Sequence, residues 1–408
     1  MKTNICKISG MPLDYVMSFG NQPLGNGFLT NPSPPDEYFY PMEVGFSKVS
    51  KMFQLLEQPN PALMFHDHYA FYSSQSKHMS EHFRAFSEAV CTSGFLAPKD
   101  AFVVELGCND GILLKHFAAK GIRHLGIEPS KNVALQANQV GVSTVSEFFT
   151  EQLAKDIVNK HGQVDAFLAA NVMCHIPDIV GVVKGIKHLL KPTGVVMFED
   201  PYLGEMIEKT SYDQIYDEHV FLFSALSIQY LFEKEGLEII QLEPQKTHGG
   251  SMRYTLAFKG AYPVQDAVHT IMENEKAKGL DNLQTFLDFK KKVEKSKVDL
   301  IALLTDLKSQ GKNIAGYGAA SKSTTILNYC NMGVNLIDYI CDSTPIKQNT
   351  FTPGMHIPVV TNDFFKQNPP DYTFLFAWNH LDEIMAKEDA YTKSGGKWIT
   401  HVPEIRVL

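Results

Sequence analysis

A dense group of ionisable side chains lies near the middle of the chain. The segment Asp213-Gln214-Ile215-Tyr216-Asp217-Glu218-His219 combines a phenol, carboxylates and an imidazole. An imidazole near neutral pH can act as a general base, and a neighbouring carboxylate can fix its tautomer and raise its basicity. A tyrosine hydroxyl can donate to a developing oxyanion. A polar loop with a hydrogen-bonded histidine would contain the same residues, so the segment alone leaves both interpretations open.

A second group is a glycine-containing loop. The sequence Glu105-Leu106-Gly107-Cys108-Asn109-Asp110-Gly111 follows an apolar run and precedes a helical segment at 112–119. Glycines there allow a tight turn and a close approach to a ligand at a helix N-terminus. Glu128, 23 residues after Glu105, stands at the end of the next apolar run. From that position a carboxylate can accept hydrogen bonds from both hydroxyls of a ribose.

The spacing of this loop is E-x-G-x-x-x-G and not the dinucleotide-binding G-x-G-x-x-G. It resembles motif I of the Rossmann-like methyltransferases, whose ligand S-adenosylmethionine contains a ribose but no phosphate. A dehydrogenase loop and an ordinary strand-to-helix turn are the alternatives. We predict cofactor contacts from the following residues: Glu105, Gly107, Asn109, Gly111, Glu128 and Asn171.

The elements that must position these groups are predicted from hydrophobic patterning. The short apolar runs AFVVEL, HLGIEP, AFLAANV and GVVMFED are separated by helical segments, which is typical of buried parallel strands. Residues 263–310 are charged and helical, and a second α/β cycle runs from NIAGYGAASKS to KWITHVP. The first 65 residues are irregular and rich in Pro, Gly and Asn. We therefore predict an α/β fold with domains at 1–80, 81–262 and 263–408.

The second α/β cycle contains its own candidate site. Residues 314–322 form an apolar run, a turn of small residues and a helix start, and Lys322 could neutralise a phosphate there. Asp342 stands in the ribose position, with Lys347 close behind it. A structural α/β lobe with surface lysines would also fit this pattern.

Composition excludes several classes of function. Lys and Arg number 37 against 45 Asp and Glu, a net charge of −8, and no basic run reaches five residues, so we expect no nucleic-acid partner. The six cysteines show no C-x-x-C pair and predict no disulfide framework. An apolar signal-peptide core and a stretch of about 18 apolar residues are both lacking, so we expect a cytoplasmic protein without a membrane partner.

Seven motifs together resemble the sugar C-methyltransferases, and the resemblance covers nearly the whole chain. They occur in the order of that family: ELGCNDG at 105–111, NVMCHIPD at 171–178, FEDPYL at 198–203, YDEH at 216–219, HGGSMR at 248–253, YGAASK at 317–322 and PGMHIP at 353–358. The resemblance implies a class I methyltransferase domain with a small N-terminal module and a second Rossmann-like domain. It further implies transfer of a methyl group from S-adenosylmethionine to a ring carbon beside the ketone of a keto-deoxysugar, linked to dTDP or another nucleoside diphosphate.

The resemblance also implies residue roles. His219 would remove the proton next to the ketone, while Tyr216, Glu218, Asn171 and His175 would line the sugar and stabilise the enolate. Tyr69 would belong to a strip that closes over the pocket, in which the family's second tyrosine is Phe71 here. The predicted substrate-binding residues are His248, Arg253, Tyr317, Lys322, Lys347 and His356.

The N-terminal module departs from the family pattern. Members of the family carry two C-x-x-C pairs that hold zinc, but the corresponding pairs here are Cys6 with Ser9 and Ser47 with Ser50. Serine is a poor zinc ligand because its hydroxyl has a high pKa. We therefore expect the module to keep its shape without stoichiometric zinc, and we predict no metal ligand elsewhere.

Two other functions remain open at this stage. A methyltransferase of the same architecture could act on another enolisable acceptor, such as a polyketide or amino-acid-derived ketone. A non-enzymatic relative could bind nucleotide or S-adenosylmethionine and regulate, although the catalytic and cofactor motifs are all present together. The sequence is compatible with a monomer or a homodimer.

Overall fold

The computed structural model describes residues 4–32, 36–65, 73–75 and 77–408. Tyr69 and Phe71, predicted to belong to the closing strip, lie outside the described residues. Three β-sheets organise the described part of the chain. The α/β architecture predicted from the sequence is confirmed, with a Rossmann-like sheet in each of the two larger parts.

The N-terminal module is built on an antiparallel sheet. Its strands are β1 (Asp14–Pro23), β2 (Phe39–Phe46) and β3 (Phe53–Leu55), followed by the short helix α1 (Pro61–Met64). The fourth strand of this sheet comes from much later in the chain: β9 (Phe221–Leu222) pairs with β3. Since β9 begins two residues after His219, the module is joined directly to the predicted catalytic segment.

The central domain contains a seven-stranded sheet in the order β10-β11-β8-β7-β4-β5-β6. Strands β4 to β8 are parallel, and β11 is antiparallel to both of its neighbours. This is a Rossmann order with one antiparallel strand inserted near an edge. The strands are β4 (Phe102–Leu106), β5 (Arg123–Ile127), β6 (Thr144–Val145), β7 (Val164–Ala170), β8 (Leu190–Pro201), β10 (Leu237–Gln245) and β11 (Ser251–Phe258).

Helices cover both faces of this sheet, as parallel strands require. They are α2 (Lys77–Thr92), α3 (Leu114–Ala119), α4 (Lys131–Gln139), α5 (Glu151–His161), α6 (Ile179–Leu189) and α8 (Ala225–Glu233). Helix α7 (Leu203–Lys209) follows β8 and buries Leu203 and Met206 in the hydrophobic cluster of the N-terminal strands. The predicted boundary between residues 80 and 81 falls inside α2, so that helix continues across it.

Two helices, α9 (Asp266–Ala277) and α10 (Leu283–Ser309), connect the central and C-terminal parts. The C-terminal sheet has the order β14-β15-β13-β12-β16-β17-β18, and its five inner strands are parallel. Its strands are β12 (Ile314–Tyr317), β13 (Ile340–Cys341), β14 (Thr350–Phe351), β15 (Pro358–Val360), β16 (Tyr372–Leu375), β17 (Lys397–Thr400) and β18 (Arg406–Val407). Its helices are α11 (Ser321–Tyr329), α12 (Asn362–Gln367), α13 (Leu381–Lys387) and α14 (Asp389–Lys393).

Within the described ranges, no helix combines the length and the apolar character needed to cross a bilayer.

Candidate active site

The glycine loop follows β4 and has the backbone that its glycines predict. Gly107 and Gly111 adopt positive φ angles of 68° and 80°. A Cβ atom on Gly107 would lie 2.7 Å from the side chain of Val172, so this position has no room for a side chain. The loop therefore approaches the turn after β7 closely, at the carboxyl ends of adjacent parallel strands where Rossmann-like folds bind ligands.

Glu128 closes the other side of the loop. Its carboxylate accepts hydrogen bonds from the backbone N–H groups of Asn109 at 3.1 Å and Ser130 at 2.9 Å. Glu105 is buried beneath the loop, where burial and the charges of Glu128 and Asp110 hold the pKa of its carboxyl well above the usual range. Glu128 thus contacts the backbone of the loop, whereas Glu105 is buried below it.

Ser73 and Ser74, which come shortly before α2, contact this loop. The backbone N–H of Ser73 donates to the Asn109 side chain at 3.1 Å, and that of Ser74 donates to Asp110 at 3.0 Å. The polar side chains of the glycine loop therefore hold the start of the segment that leads into α2.

The turn after β7 connects the glycine loop to the predicted base. Asn171 has a left-handed backbone with φ 56°, and Val172 packs against Gly107. The His175 ring stacks on the His219 ring with centroids 5.3 Å apart. The sulfur of Cys174 and one ring nitrogen from each histidine lie within 4.8 Å of one another.

His219 makes two hydrogen bonds that define its tautomer. Its Nδ1 lies 2.7 Å from the Gln214 carbonyl oxygen, which can only accept, so Nδ1 carries the proton. Its Nε2 lies 2.7 Å from the Tyr216 hydroxyl and accepts from it. The lone pair that a general base needs is thus on Nε2, beside the phenol.

Burial favours the neutral forms of both imidazoles. It lowers the pKa of His219 well below its ordinary value, and the nearby His175 ring adds to the effect. It lowers the pKa of His175 to about 4. Nε2 of His175 has no hydrogen-bond partner among the described residues.

Asp217 and Glu218 form a buried carboxyl pair beside the base. Burial, followed by the charge of Asp217, raises the pKa of Glu218 to about 8. Both carboxyl groups contact the N-terminal module: Gly25 N–H donates to Asp217 at 2.9 Å, and the Asn26 amide donates to Glu218 at 2.9 Å. Burial therefore favours the protonated form of Glu218, in which the carboxyl group can itself donate a hydrogen bond.

The C-terminal domain repeats the arrangement seen around Glu128. Asp342 follows β13, and its carboxylate accepts from the backbone N–H groups of Ala319 and Thr344, both at 2.7 Å. Lys347 donates to the Ala319 carbonyl at 2.8 Å. A strand, a turn of small residues and an acidic side chain after the next strand thus occur in both Rossmann-like domains.

Lys322 is a buried cation that faces the central domain. It is 8% exposed, and its ammonium lies 3.5 Å from the His248 carbonyl oxygen and 5.5 Å from the Trp378 ring centroid. It forms no ion pair within the described part of the chain, and burial lowers the pKa of its ammonium. His248 has a left-handed backbone at φ 53°, and burial together with Lys322 lowers the pKa of its ring to about 3.

Three of the predicted substrate-binding residues are engaged elsewhere. The Tyr317 hydroxyl donates to Glu388 at 2.8 Å inside the C-terminal core. The guanidinium of Arg253 pairs with Glu199 at 3.0 Å and lies on the Phe86 ring.

The third of these residues is His356, whose ring lies 2.7 Å from Glu37 of the N-terminal module. In all three cases the group predicted to meet a substrate contacts a neighbouring side chain, and its role towards a substrate stays a prediction.

Sequence reasoning missed several residues close to the predicted site residues. Trp378 donates to Asp213 at 2.6 Å, the rings of His380 and His78 meet edge to face, and His82 contacts Glu199. Trp378 and His380 follow β16, and the end of a parallel strand was the signal that could have identified them.

The four positions of the expected zinc site do converge. Cys6 Sγ lies 3.3 Å from Ser50 Oγ, Ser9 Oγ lies 3.5 Å from Ser47 Oγ, and the Ser50 N–H donates to Ser47 at 3.2 Å. One thiol and three hydroxyls do not fit Zn²⁺, which is held in structural sites by thiolate and imidazole. Here the side chains hydrogen-bond to one another instead.

Comparison with family models divides the chain into three matches. Residues 6–65 match a putative zinc binding domain, residues 78–242 match a methyltransferase domain, and residues 246–403 match a C-methyltransferase C-terminal domain.

Individual proteins are also similar to this chain. The chain is 31% identical to the C-methyltransferase NovU of Streptomyces niveus over 99% of its own length and 96% of that protein. It is 35% identical to a ubiquinone biosynthesis O-methyltransferase of Acinetobacter baylyi over 112 residues, which is 45% of that protein. Among solved structures, a SAM-dependent methyltransferase from Anabaena variabilis aligns at 15% identity with a TM-score of 0.36, covering 44% of this chain and 86% of that one.

Proposed function

The chain belongs to the C-methyltransferase family and uses S-adenosylmethionine, and from this premise we propose that it methylates the carbon next to the ketone of a nucleotide-linked keto-deoxysugar. The observation that carries the proposal is the position of His219. The turn that contains Val172 and His175 connects it to the glycine loop, and the ammonium of Lys322 is near enough to help lower the pKa of its ring. The candidate base therefore lies near both the glycine loop and a buried cation that could hold an anion.

The glycine loop and Glu128 would hold the methyl donor. S-adenosylmethionine, when bound, supplies a methyl group that is already activated by its sulfonium sulfur. Glu128 would accept from the ribose hydroxyls, and the side-chain-free backbone at Gly107 would leave space against the Val172 turn. Asn109 and Asn171 would complete the pocket, while Glu105 supports the loop from below.

His219 would remove the acidic proton of the acceptor. The proton moves from carbon to Nε2, and the electron pair of the broken C–H bond is delocalised onto the ketone oxygen as an enolate. Tyr216 would turn its hydroxyl from Nε2 towards that oxygen, which frees the lone pair of the base and stabilises the developing charge. The enolate carbon then attacks the methyl group, the S–CH3 bond breaks, and S-adenosylhomocysteine leaves.

Glu218 and His175 would assist as neutral groups. A protonated Glu218 can donate to the sugar or the enolate oxygen, because burial keeps its proton in place at neutral pH. The free Nε2 of His175 offers another hydrogen-bonding position beside the base. In a buried site, each hydrogen bond made to the developing oxyanion is stronger than it would be in water.

The C-terminal domain would hold the nucleoside diphosphate. A buried ammonium without an ion-pair partner favours an anionic ligand, since isolated buried charges are costly. Among the described residues Lys322 forms no ion pair, although the charge of Asp213 acts on it, while Lys347 and the Asp342 position repeat the loop geometry of the cofactor site. His248 would contribute through its carbonyl and ring at the junction of the two domains.

Calorimetric titration with S-adenosylhomocysteine and then with dTDP tests both halves of the site. We expect both ligands to bind, with Glu128→Ala weakening the first and Lys322→Ala weakening the second by roughly 10- to 100-fold. Lys291→Ala removes the same charge from an exposed position and should change neither affinity. Binding of S-adenosylhomocysteine without dTDP would overturn the sugar-nucleotide acceptor and favour another enolisable ketone.

A further inference from the structure

The N-terminal module contributes directly to the geometry of the catalytic segment. Immediately after His219, Val220 accepts a hydrogen bond at 2.8 Å from the Leu55 N–H of β3, and β9 then joins the module's sheet. The catalytic segment is therefore attached on one side to the module. A second contact, from a loop of the same module, reaches it on the other side.

That second contact is the Leu24-Gly25-Asn26 loop. Gly25 N–H donates to Asp217, the Asn26 Nδ2 donates to Glu218 Oε1 at 2.9 Å, and the Thr324 hydroxyl donates to the Gly25 carbonyl at 2.9 Å. A Cβ on Gly25 would lie 2.7 Å from Asp217, so only glycine allows this approach. The loop is thus fixed between the catalytic segment and α11 of the C-terminal domain.

We propose that Asn26 is a positioning residue for methyl transfer, which acts by fixing the Glu218 carboxyl group against the acceptor. The inference rests on the proposed role of Glu218 in the reaction. Asn26 itself acts through that carboxyl group and not on the substrate. The module, which lacks a zinc-binding ligand set, thereby has a function at the active site.

The hydrogen bond from Asn26 is one of several interactions that set the pKa of Glu218. Asp217 destabilises the carboxylate form, whereas Lys347 and the Asn26 amide stabilise it, and the Cys174 thiol also lies within its field. The amide N–H of Asn26 favours the charged form, so its removal should raise the pKa of Glu218 further. Orientation and protonation of the same carboxyl group thus both depend on Asn26.

Substitution of Asn26 separates positioning from general stability. We expect Asn26→Ala to lower kcat by roughly 10- to 100-fold, as loss of a hydrogen bond to a carboxyl group implies, with KM for the methyl donor unchanged. Asn26→Asp should cost more, because it replaces the amide donor by a third carboxyl group beside the Asp217–Glu218 pair. Lys48→Ala, on the surface of the same module, is the control and should retain full activity.

A double-mutant cycle with Glu218→Ala provides the decisive comparison. If Asn26 acts through Glu218, Asn26→Ala should have little further effect once Glu218 is removed. Equal losses in both backgrounds would assign Asn26 a structural role and overturn the proposal.

A substrate-free measurement keeps this result separate from the identity of the acceptor. The Glu218 carboxyl resonance in 13C-glutamate-labelled protein, assigned by its absence from Glu218→Ala, should titrate at higher pH in Asn26→Ala than in the unaltered protein. An unchanged titration would contradict the positioning role. A changed titration without methylation of any keto-deoxysugar would retain that role and contradict the proposed acceptor.

Discussion

Two hydrogen bonds determine what His219 can do. The Gln214 carbonyl holds the proton on Nδ1, and the Tyr216 hydroxyl points at the lone pair of Nε2. Sequence spacing predicted that a base, a phenol and carboxyl groups would be close together. It could not predict that the orienting acceptor would be a backbone carbonyl, because this depends on the turn formed by residues 214–219 and not on any side-chain type.

The pH dependence of methyl transfer follows from the same residues. Burial disfavours the imidazolium form of His219, so the neutral base persists below the ordinary histidine pKa of about 6.5. Burial also keeps Glu218 protonated up to a pKa of about 8. We expect kcat/KM to fall on the acid side only below about pH 6.5 and on the alkaline side near pH 8. An acid limb above pH 7 would show that His219 is not the buried neutral base described here.

At the scale of single elements, the glycine loop shows how much of the site the sequence specifies. The strand, the loop and Glu128 were all predicted from spacing, and the structure places them at the carboxyl end of the central sheet. What spacing could not show is why Gly107 must be glycine. The reason is the approach of Val172, from a turn more than 60 residues further along the chain.

A matched pair of substitutions tests this reason. Gly107 and Gly121 have the same φ of 68°, but only Gly107 is crowded, since nothing lies within 4 Å of a Cβ built on Gly121. Both alanine variants should carry backbone strain of about 1 kcal/mol. Only Gly107→Ala should also lose affinity for S-adenosylhomocysteine, by at least about tenfold, as measured by calorimetry. Equal affinities of the two variants for S-adenosylhomocysteine would show that the close approach of Val172 is not the reason for glycine at position 107.

In the N-terminal module, the four positions of the expected zinc site converge although three of the four expected cysteines are serines. Cys6, Ser9, Ser47 and Ser50 converge as two C-x-x-C pairs would, but they are linked by hydrogen bonds. The variant with Ser9→Cys, Ser47→Cys and Ser50→Cys should therefore bind about one zinc per chain and gain thermal stability with it. Elemental analysis and the visible spectrum of the cobalt form would measure this. The unaltered protein should bind none, and a stoichiometric zinc in it would contradict our interpretation.

At the scale of the whole molecule, all three parts meet around residues 213–219. Trp378 bonds to Asp213, Thr325 donates to the Ile215 carbonyl at 2.9 Å, and Asn26 donates to Glu218. The sequence predicted the parts but not this meeting point, because contacts between residues 100 or more positions apart leave no local pattern. For the same reason, spacing could not predict that Tyr317 contacts Glu388, that Arg253 pairs with Glu199 or that His356 contacts Glu37.

The two tryptophans of the chain offer a test of ligand binding between the domains. The Trp378 ring centroid lies 5.5 Å from the Lys322 ammonium, while Trp398 is fully buried in the C-terminal core. We expect dTDP to change the fluorescence of the unaltered protein and of Trp398→Phe, but not of Trp378→Phe. A signal that survives in Trp378→Phe and disappears in Trp398→Phe would place the nucleotide away from Lys322.

The most direct measurement of the central claim is transfer of a 13C-labelled methyl group from S-adenosylmethionine to a dTDP-linked 4-keto-deoxysugar. We predict a product whose methyl signal shows one-bond coupling to a 13C-labelled ring carbon beside the ketone. The product should be lost in His219→Ala, which should still bind S-adenosylhomocysteine. A methyl group attached to oxygen or nitrogen, or undiminished transfer by His219→Ala, would contradict the account.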